Sequence, residues 1–347
     1  ELGGDNYRGF VNYGDKNVAY SDNGAFVFSD TREIRKTSKA FQGDKKCNTT
    51  YVTGEYGTYG FSPTNYNTFY SPVGSELYKT TNGGVSFELV HDFGGSKAIQ
   101  VKVAWSNPDI IYVTHKATIN GSNFKIMRTE DAGATWTDVT PVSGITNGYG
   151  NNPKYIEVDD KNPNKIWCIL MGSHSGYKVF KSQDGGSIWS NITTPAINDE
   201  NVISIVHHYG TNDGIYIGTT KNVYYKNASM SEWALFNNNL PVSTACSFIQ
   251  PFYGENKIRT ATQRGVYECE FYETSGPVAM PSANTNDVNL AANCLSDTIQ
   301  FVDHSTVSAS TASWMWYFEG GNPATSTLEN PKVVYNTTGT YNVKLVV

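Results

Sequence analysis

The sequence predicts an all-β protein made of short strands joined by tight turns. Three observations indicate this fold class: a composition that favours strands and turns, an internal repeat, and a strict alternation of apolar residues near the C-terminus. Of the 347 residues, 23 are Tyr and 32 are Gly, and only 17% are charged. Aromatic and β-branched side chains favour a pleated surface, whereas Gly and Asn favour turns.

An internal repeat organises most of the chain. Asn82, Asp131 and Asp184 hold the same position in three aligned segments and are 49 and 53 residues apart. A strand-like run precedes each segment, and the segments share a Ser or Thr, an Asp or Asn, a Gly and an aromatic residue. These residues are Thr80, Asn82, Gly84 and Phe87; Thr129, Asp131, Gly133 and Trp136; and Ser182, Asp184, Gly186 and Trp189.

A second signature lies between these segments and consists of a strand, an Asn-Pro turn and another strand. Residues 101–113 and 155–167 share it, and Pro108 and Pro163 end the first strand of each pair. Each repeat therefore predicts four strands in about fifty residues, which is typical of a propeller blade.

The repeated segments resemble the Asp box, S-x-D-x-G-x-x-W, of sialidase-like and sortilin-like proteins. Three matches in register predict a multi-bladed β-propeller with Asp-box turns over residues 1–272. Five blades and part of a sixth fit this range, so a closed propeller is expected to need chain before Glu1. The Asp or Asn side chain can accept hydrogen bonds from the turn that follows it, and Gly tolerates positive φ. The box residues are therefore expected to be structural, and the resemblance implies that they lie away from the ligand.

The C-terminal part predicts a second module. Residues 273–290 are rich in Pro, Ser and Asn and predict a linker and an entering strand. In residues 291–347, apolar residues alternate along 314–318 and 341–345, which gives each run one buried face. Segments 298–305, 313–321 and 335–347 resemble the V-x-F-x-D-x-S, W-x-W-x-F-G-D-G and Y-x-x-x-G-x-Y-x-V-x-L segments of the PKD domain, an Ig-like β-sandwich.

The PKD resemblance implies a spacer or contact module without chemistry of its own. Glu319-Gly320-Gly321 departs from the Gly-Asp-Gly of many members. This version of the segment resembles those in surface proteins of Bacteroidota. That likeness implies type IX secretion and a secreted or cell-surface location.

Asp22 is the candidate catalytic residue. Ser21–Phe26 resembles an early turn, R-x-D-x-G-G, of propeller glycosidases that cleave xyloglucan, in which two carboxylates act as acid and base. Asp5 or Glu55 would be a distant partner. The alternative interpretation is that Asp22-Asn23-Gly24 forms a hairpin turn, a common use of these residues. A sialidase would need three clustered arginines for its carboxylate substrate, and the six Arg residues here are scattered.

No cofactor or metal is predicted. His207 and His208 are adjacent, so on a strand their rings point to opposite faces, and there is no HExxH motif. Calcium at Asp159-Asp160 or at 198–200 stays open, because oxygen ligands are present without a diagnostic spacing. The five cysteines show no CxxC pair; Cys168 is expected to be buried.

Charge and hydropathy argue against a nucleic acid as partner and against a membrane-spanning segment. The net charge of −6 comes without a basic stripe that could follow a phosphate backbone, which argues against nucleic acid. No run approaches the ~20 apolar residues that span a bilayer.

These observations favour a secreted or cell-surface recognition or adhesion module that binds a glycan or a protein without catalysis. Residues 51–70, 144–152 and 172–177 are rich in Tyr, Asn, Ser and Gly, which suits adaptable polar contacts. Two alternatives stay open. One is a propeller glycoside hydrolase with part of its site before Glu1, and the other is a structural repeat unit of a surface filament.

Overall fold

The fold is described from a computed structural model that places most of the chain. It describes residues 6–11, 18–23, 33–38, 44–46, 59–95, 97–117, 123–141, 153–170, 175–237, 240–286, 298–307 and 312–347. Up to residue 46 only the backbone of the strands is described. These residues form strands and two 3-10 turns, Pro195–Ile197 and Tyr253–Glu255, in agreement with the predicted all-β class.

Six successive antiparallel sheets follow one another along the described chain. Their strands are β1 (Asn6–Val11), β2 (Val18–Asn23), β3 (Glu33–Ser38) and β4 (Asp44–Lys46); β5 (Gly60–Phe61), β6 (Phe69–Val73), β7 (Glu76–Thr80) and β8 (Glu88–Asp92); β9 (Lys97–Val103), β10 (Ile111–Lys116), β11 (Phe124–Thr129) and β12 (Thr137–Asp138); β13 (Pro153–Val158), β14 (Ile166–Leu170), β15 (Val179–Ser182) and β16 (Ser190–Asn191); β17 (Val202–His207), β18 (Ile215–Thr219), β19 (Val223–Lys226) and β20 (Ala234–Leu235); and β21 (Cys246–Phe252), β22 (Lys257–Thr262) and β23 (Gly265–Glu270). In each sheet the strands pair in chain order.

Two further sheets lie near the C-terminus. Their strands are β24 (Pro281–Ala283), β25 (Thr298–Asp303), β26 (Met315–Phe318), β27 (Gly321–Asn322), β28 (Thr325–Ser326), β29 (Lys332–Tyr335) and β30 (Val343–Val346). One sheet has the order β24-β25-β29-β27 and the other β28-β26-β30. The chain divides into two compact units, residues 1–90 with 277–347, and residues 91–276.

Within the unit of residues 91–276, each sheet packs on the next through a shared apolar core. One cluster joins Tyr112 and Ile126 to Ile166, Cys168 and Trp189 of the following sheet. Every residue of the middle strand β14 is buried, and the same is true of β18. Burying one large apolar side chain stabilises a fold by about 1.5–3 kcal/mol, so these strands hold the stack of blades together.

In the other unit, the two C-terminal sheets share one core. Along β26, Trp316 and Phe318 are buried while Met315 and Tyr317 are exposed, as the alternation of the sequence predicts. Leu345 and Val333 complete the cluster. Strand β24 lies inside the stretch that the sequence predicts as linker and entering strand, and it pairs with β25. The predicted domain limits at 272 and 291 stay predictions.

The cysteines of the described chain are thiols. Cys168 and Cys246 are buried and Cys269 is half-buried, and all three are free. Burial raises the pKa of the Cys168 thiol strongly, so Cys168 acts as a small apolar side chain. Cys47 and Cys294 lie outside the described residues.

Substitution of one glycine tests how closely neighbouring blades approach each other. Gly186 has φ of +96°, and a Cβ added there would lie 2.7 Å from the Cβ of Val139 in the preceding blade. Gly186→Ala is therefore expected to lower the free energy of unfolding by about 1–3 kcal/mol, through backbone strain and overpacking. Urea-induced unfolding measures the change. Gly254→Ala is the control, because its Cβ would meet no atom within 4 Å, and equal costs for the two variants would contradict this account.

Candidate functional site

Two edges of the blades in residues 91–276 carry different side chains. The turn edge, as we name it, holds the turns at 159–165, 183–189 and 208–214, which follow the first and third strands of a blade. The loop edge holds residues 175–177, 191–200 and 219–222, at the opposite ends of the same strands. Antiparallel pairing of consecutive strands places these two groups of turns at opposite ends of the sheet.

The turn edge carries a cluster of charged side chains, which we call the blade-edge cluster. Its members are Asp159, Asp160, Lys165, Lys181, His207 and Asp213. The Asn-Pro turn after β13 positions the first of them, because the Asp159 carboxylate accepts the backbone N–H of Lys161 at 3.0 Å and of Asn162 at 2.8 Å. Such bonds fold the chain back on itself directly after a strand.

Ion pairs connect this turn to the next blade. Lys165 Nζ lies 2.8 Å from Asp159 Oδ2 and 2.7 Å from Asp213 Oδ1. Lys181 contacts the other oxygen of Asp213. Burial opposes ionisation of Asp213, but hydrogen bonds from Lys165 and Lys181 outweigh it and lower the pKa of this carboxyl.

His207 lies at the centre of the cluster. Its side chain is 0% exposed, and its ring stacks on Trp167 with centroids 4.9 Å apart. Nδ1 lies 3.7 Å from Asp160 Oδ1, and Nε2 lies 3.9 Å from Asp159 Oδ2. These distances exceed a hydrogen bond, and neither nitrogen has a hydrogen-bond partner. Burial lowers the pKa of His207, which favours a neutral ring.

Asp160 differs from the other carboxylates of the cluster. Its Oδ2 atom is buried and has no hydrogen-bond partner. Burial first, and the charge of Asp159 second, raise the pKa of this carboxyl. His208 has other surroundings than its neighbour, since it packs on Tyr216, Tyr253 and Phe271. His207 is the last residue of β17 and His208 follows it directly, so the two rings lie in different surroundings.

The three repeated segments share one turn geometry. In the third, Ser182 Oγ donates to Asp184 Oδ1 at 2.7 Å and accepts the N–H of Gly186 at 2.9 Å. Asp184 Oδ1 also accepts the N–H of Ile188 at 2.9 Å. The turns at Thr129–Asp131 and Thr80–Asn82 repeat this pattern. The polar atoms of these segments are directed at their own backbone.

The loop edge carries amide and hydroxyl groups that hydrogen-bond to one another. Asn198 Nδ2 donates to Ser175 Oγ at 2.6 Å, and Asn191 Nδ2 donates to the carbonyl of Gly176 at 2.7 Å. Beside them, Glu200 accepts hydrogen bonds from Thr219, Asn222 and Tyr224 at 2.7–2.9 Å. Burial first, and Glu200 second, raise the pKa of Tyr224 to about 12.

Asp22, the candidate catalytic residue, lies in strand β2. In the register its backbone is opposite Arg8 of β1 and Ile34 of β3. Asp22 and Asn23 thus belong to a strand and not to a hairpin turn, whereas Gly24 lies outside the described residues. The possible partners Asp5 and Glu55 also lie outside them, as do residues 51–58, 144–152 and 172–174 of the predicted recognition stretches.

The residues of the blade-edge cluster are far apart in the sequence and come together only in the fold. Asp159-Asp160 and His207-His208 are each a polar pair in the sequence, and no local pattern links one pair to the other. The signal that links them is the repeat itself, because the end of β13 and the end of β17 are equivalent positions of adjacent blades. Lys181 and Asp213 had no local signal at all.

Comparison with known proteins rests on structure. No protein-family model matches the sequence, and no curated protein matches it. An ancestral GH74 enzyme matches with TM-score 0.60 and 19% identity, over 77% of this chain and 36% of that chain. The GH74 xyloglucanase from Xanthomonas campestris matches with TM-score 0.56 and 11% identity, over 77% and 44%. The extracellular domain assigned to a one component system of B. thetaiotaomicron matches with TM-score 0.51 and 10% identity, over 98% and 47%.

The chain has a β-propeller fold. The chain spans less than half the length of these three structures. At these identities the propeller likeness concerns the fold alone. Among the described residues of this propeller, no helix is long and apolar enough to cross a membrane.

Asp213 offers a test of the ion pairs between blades. Asp213→Asn removes the charge but keeps the shape, and Asn tolerates the left-handed backbone of φ +62° at this position. The largely buried ammonium group of Lys181 then loses its carboxylate and that of Lys165 keeps Asp159, so the free energy of unfolding is expected to fall by roughly 2–4 kcal/mol. Chemical unfolding measures the loss. Glu268→Gln, which breaks the exposed pairs with Lys257 and Arg259, is the control and should change stability little.

Proposed function

We propose that this propeller is a non-catalytic recognition module of a secreted or cell-surface protein, and that its loop edge binds a glycan or a protein. The observation that carries the proposal is the hydrogen-bonded set of amides and hydroxyls at the loop edge. Asn198, Asn191 and Ser175 hold the chain at 175–177 in place. Groups that are fixed before binding lose less entropy when a ligand arrives.

The chemistry of the loop edge suits a polar ligand. Ser175, Asn191 and Asp199 are exposed, and Tyr177 and Asn198 are half-buried beside them. Amides and hydroxyls can both donate to and accept from sugar hydroxyls or peptide groups. Tyr-, Ser- and Asn-rich surfaces are a common means of adaptable polar recognition.

The hydrogen bonds and ion pairs of several carboxylates in the described residues also favour recognition over catalysis. Hydrolysis of a glycosidic bond needs two carboxyl groups that face each other across the sugar, with one of them free to give a proton. Asp131 and Asp184 are instead bonded to their own turns, and Asp159 and Asp213 are bonded to lysines. Glu200 already accepts three hydrogen bonds.

A propeller glycoside hydrolase is the second candidate. The observation in its favour is the fold likeness to two GH74 enzymes, one of them a xyloglucanase. Asp22 would be one of its carboxylates. The residues that would complete such a site then belong to parts of the protein other than the described blades.

The finer assignments belong to the same proposal. We assign the three hydrogen-bonded turns to the Asp-box type and residues 291–347 to a PKD-type sandwich that acts as a spacer or contact module. The motifs in the sequence and the core around Trp316 and Phe318 support the latter. The likeness to an extracellular domain supports a secreted or surface location.

Binding at the loop edge can be tested with glycan and protein arrays. The double variant Asn191→Ala with Asn198→Ala is expected to weaken binding of any captured ligand at least about tenfold, because each lost hydrogen bond is worth about 1 kcal/mol. Surface plasmon resonance measures the affinity. Asn212→Ala, an exposed Asn on the turn edge, is the matched control and should bind like the parent chain. An unchanged affinity of the double variant would place the ligand elsewhere.

Catalysis is tested by the release of reducing sugar from plant, algal and host polysaccharides. The recognition proposal expects no release by the full-length protein. Release that disappears in Asp22→Ala would overturn the proposal and assign the protein to the glycoside hydrolases. Release that persists in Asp22→Ala would also overturn it, and would exclude Asp22 as the acid or base.

A further inference from the structure

We propose that Asp159, Asp160 and His207 form a binding site for one divalent transition-metal ion at the turn edge, between two adjacent blades. The ion would be bound by two carboxylate oxygens and one imidazole nitrogen. This inference is independent of what the loop edge binds.

The geometry brings three suitable ligand atoms together. One atom from each side chain lies within 4.8 Å of the others, and the closest nitrogen–oxygen distances are 3.7 and 3.9 Å. Metal–ligand bonds of about 2.0–2.2 Å in a tetrahedral site place two ligands roughly 3.3–3.6 Å apart. The distances of 3.7 and 3.9 Å belong to different ring nitrogens, and one ion binds only one of them. To complete the site, the ligand atoms would therefore move together from within 4.8 Å to about 3.3–3.6 Å.

Two of the three ligand side chains, Asp160 and His207, are buried and have unused bonding capacity. His207 is 1% exposed and Asp160 is 4% exposed. Neither ring nitrogen of His207 has a hydrogen-bond partner, and neither does Asp160 Oδ2. Buried polar atoms in native proteins are satisfied in the great majority of cases, so a group of three without partners needs an explanation. A bound ion satisfies Asp160 and one nitrogen of His207 at once.

The charges of the blade-edge cluster favour a cation. Three carboxylates, Asp159, Asp160 and Asp213, face two ammonium groups, Lys165 and Lys181. With a neutral His207 the cluster has one negative charge in excess, and Asp160 is the carboxylate without a lysine.

Groups that do not bind the ion themselves hold the ligand side chains in place, as is usual for metal sites. Asp159 is held by the N–H groups of Lys161 and Asn162 and by Lys165. Stacking on Trp167 fixes the plane of the His207 ring. Such second contacts keep ligand atoms in place before the ion arrives.

The donor set determines the class of ion. Imidazole nitrogen together with carboxylate oxygen suits zinc, manganese or cobalt, whereas calcium and magnesium prefer oxygen alone. The ligands come from the turn after β13 and from the end of β17. An ion bound there would connect two blades and stabilise the folded state in proportion to its affinity and concentration.

The experiment uses chain stripped of metal by a chelator and then titrated with Zn²⁺, Mn²⁺ or Ca²⁺. Calorimetry gives the stoichiometry, Trp fluorescence reports on Trp167 beside His207, and thermal unfolding gives the shift in Tm. Zn²⁺ or Mn²⁺ is expected to bind, change the fluorescence and raise Tm, with Ca²⁺ at least tenfold weaker. Tighter binding of Ca²⁺ than of Zn²⁺ and Mn²⁺ would contradict binding by an imidazole nitrogen and would overturn the proposal.

Variants assign the site. His207→Phe keeps a stacking ring but removes both nitrogens, and Asp160→Asn keeps the shape but removes the charge; each is expected to lose one equivalent of ion. His208→Phe is the matched control, because the adjacent His208 packs on aromatic rings, and it should bind like the parent chain. Circular dichroism shows that each variant is folded. Retention of the full stoichiometry in folded His207→Phe, or the absence of binding in the parent chain, would overturn the proposal.

Discussion

Two contacts between successive blades depend on an indole N–H as well as on the apolar core. Trp189 Nε1 donates at 2.8 Å to the carbonyl of Val139 in the preceding blade, and Trp233 Nε1 donates at 3.0 Å to that of Ile192. Each Trp comes directly before the short outer strand of its blade, and Trp189 is the last residue of the third repeated segment. Because Gly186 lacks a Cβ, Val139 can approach that turn closely. The side-chain bonds of Ser182 and Asp184 therefore support the packing of whole blades as well as a local turn.

Because the repeated turns support the packing of the blades, the turn edge and the loop edge have different roles. At the turn edge, the carboxylates of Asp159, Asp184 and Asp213 are bonded to backbone N–H groups or lysines, which removes them from chemistry with an external substrate. At the loop edge, the amides of Asn191 and Asn198 bond mainly to neighbouring loop atoms, and these side chains reach solvent. A scaffold that fixes one edge leaves the other free to vary, which is how loops on rigid folds come to bind ligands.

The repeat made the blades predictable from the sequence. Spacing, flanking strands and the Asn-Pro turn each gave the same four-stranded unit, and the alternation at Trp316 and Phe318 indicated the buried face near the C-terminus. The blade-edge cluster could not be predicted in the same way. His207 meets Asp159 and Asp160 only when two blades pack in a particular register, and 47 residues separate His207 from Asp160 along the chain. For Asp22 the local pattern suggested a turn, but pairing with β1 and β3 extends the strand through it.

The buried charges between the blades also affect the order in which the blades pack against one another. Desolvation offsets much of the attraction in a buried ion pair, so apolar side chains of similar volume would often serve stability as well. Buried charges instead add a free-energy cost when a blade packs against another blade that lacks the matching charge. Lys165 and Lys181 of one blade both pair with the carboxylate of Asp213 from the next blade. A blade without an acidic group at that position would leave Lys181 buried without a carboxylate and Lys165 with Asp159 of its own blade. The equivalent contact between the preceding two blades joins Arg128 to the neutral side chain of Asn164. The charge at this turn position therefore differs from one blade contact to the next, and this difference helps to specify which blade follows which.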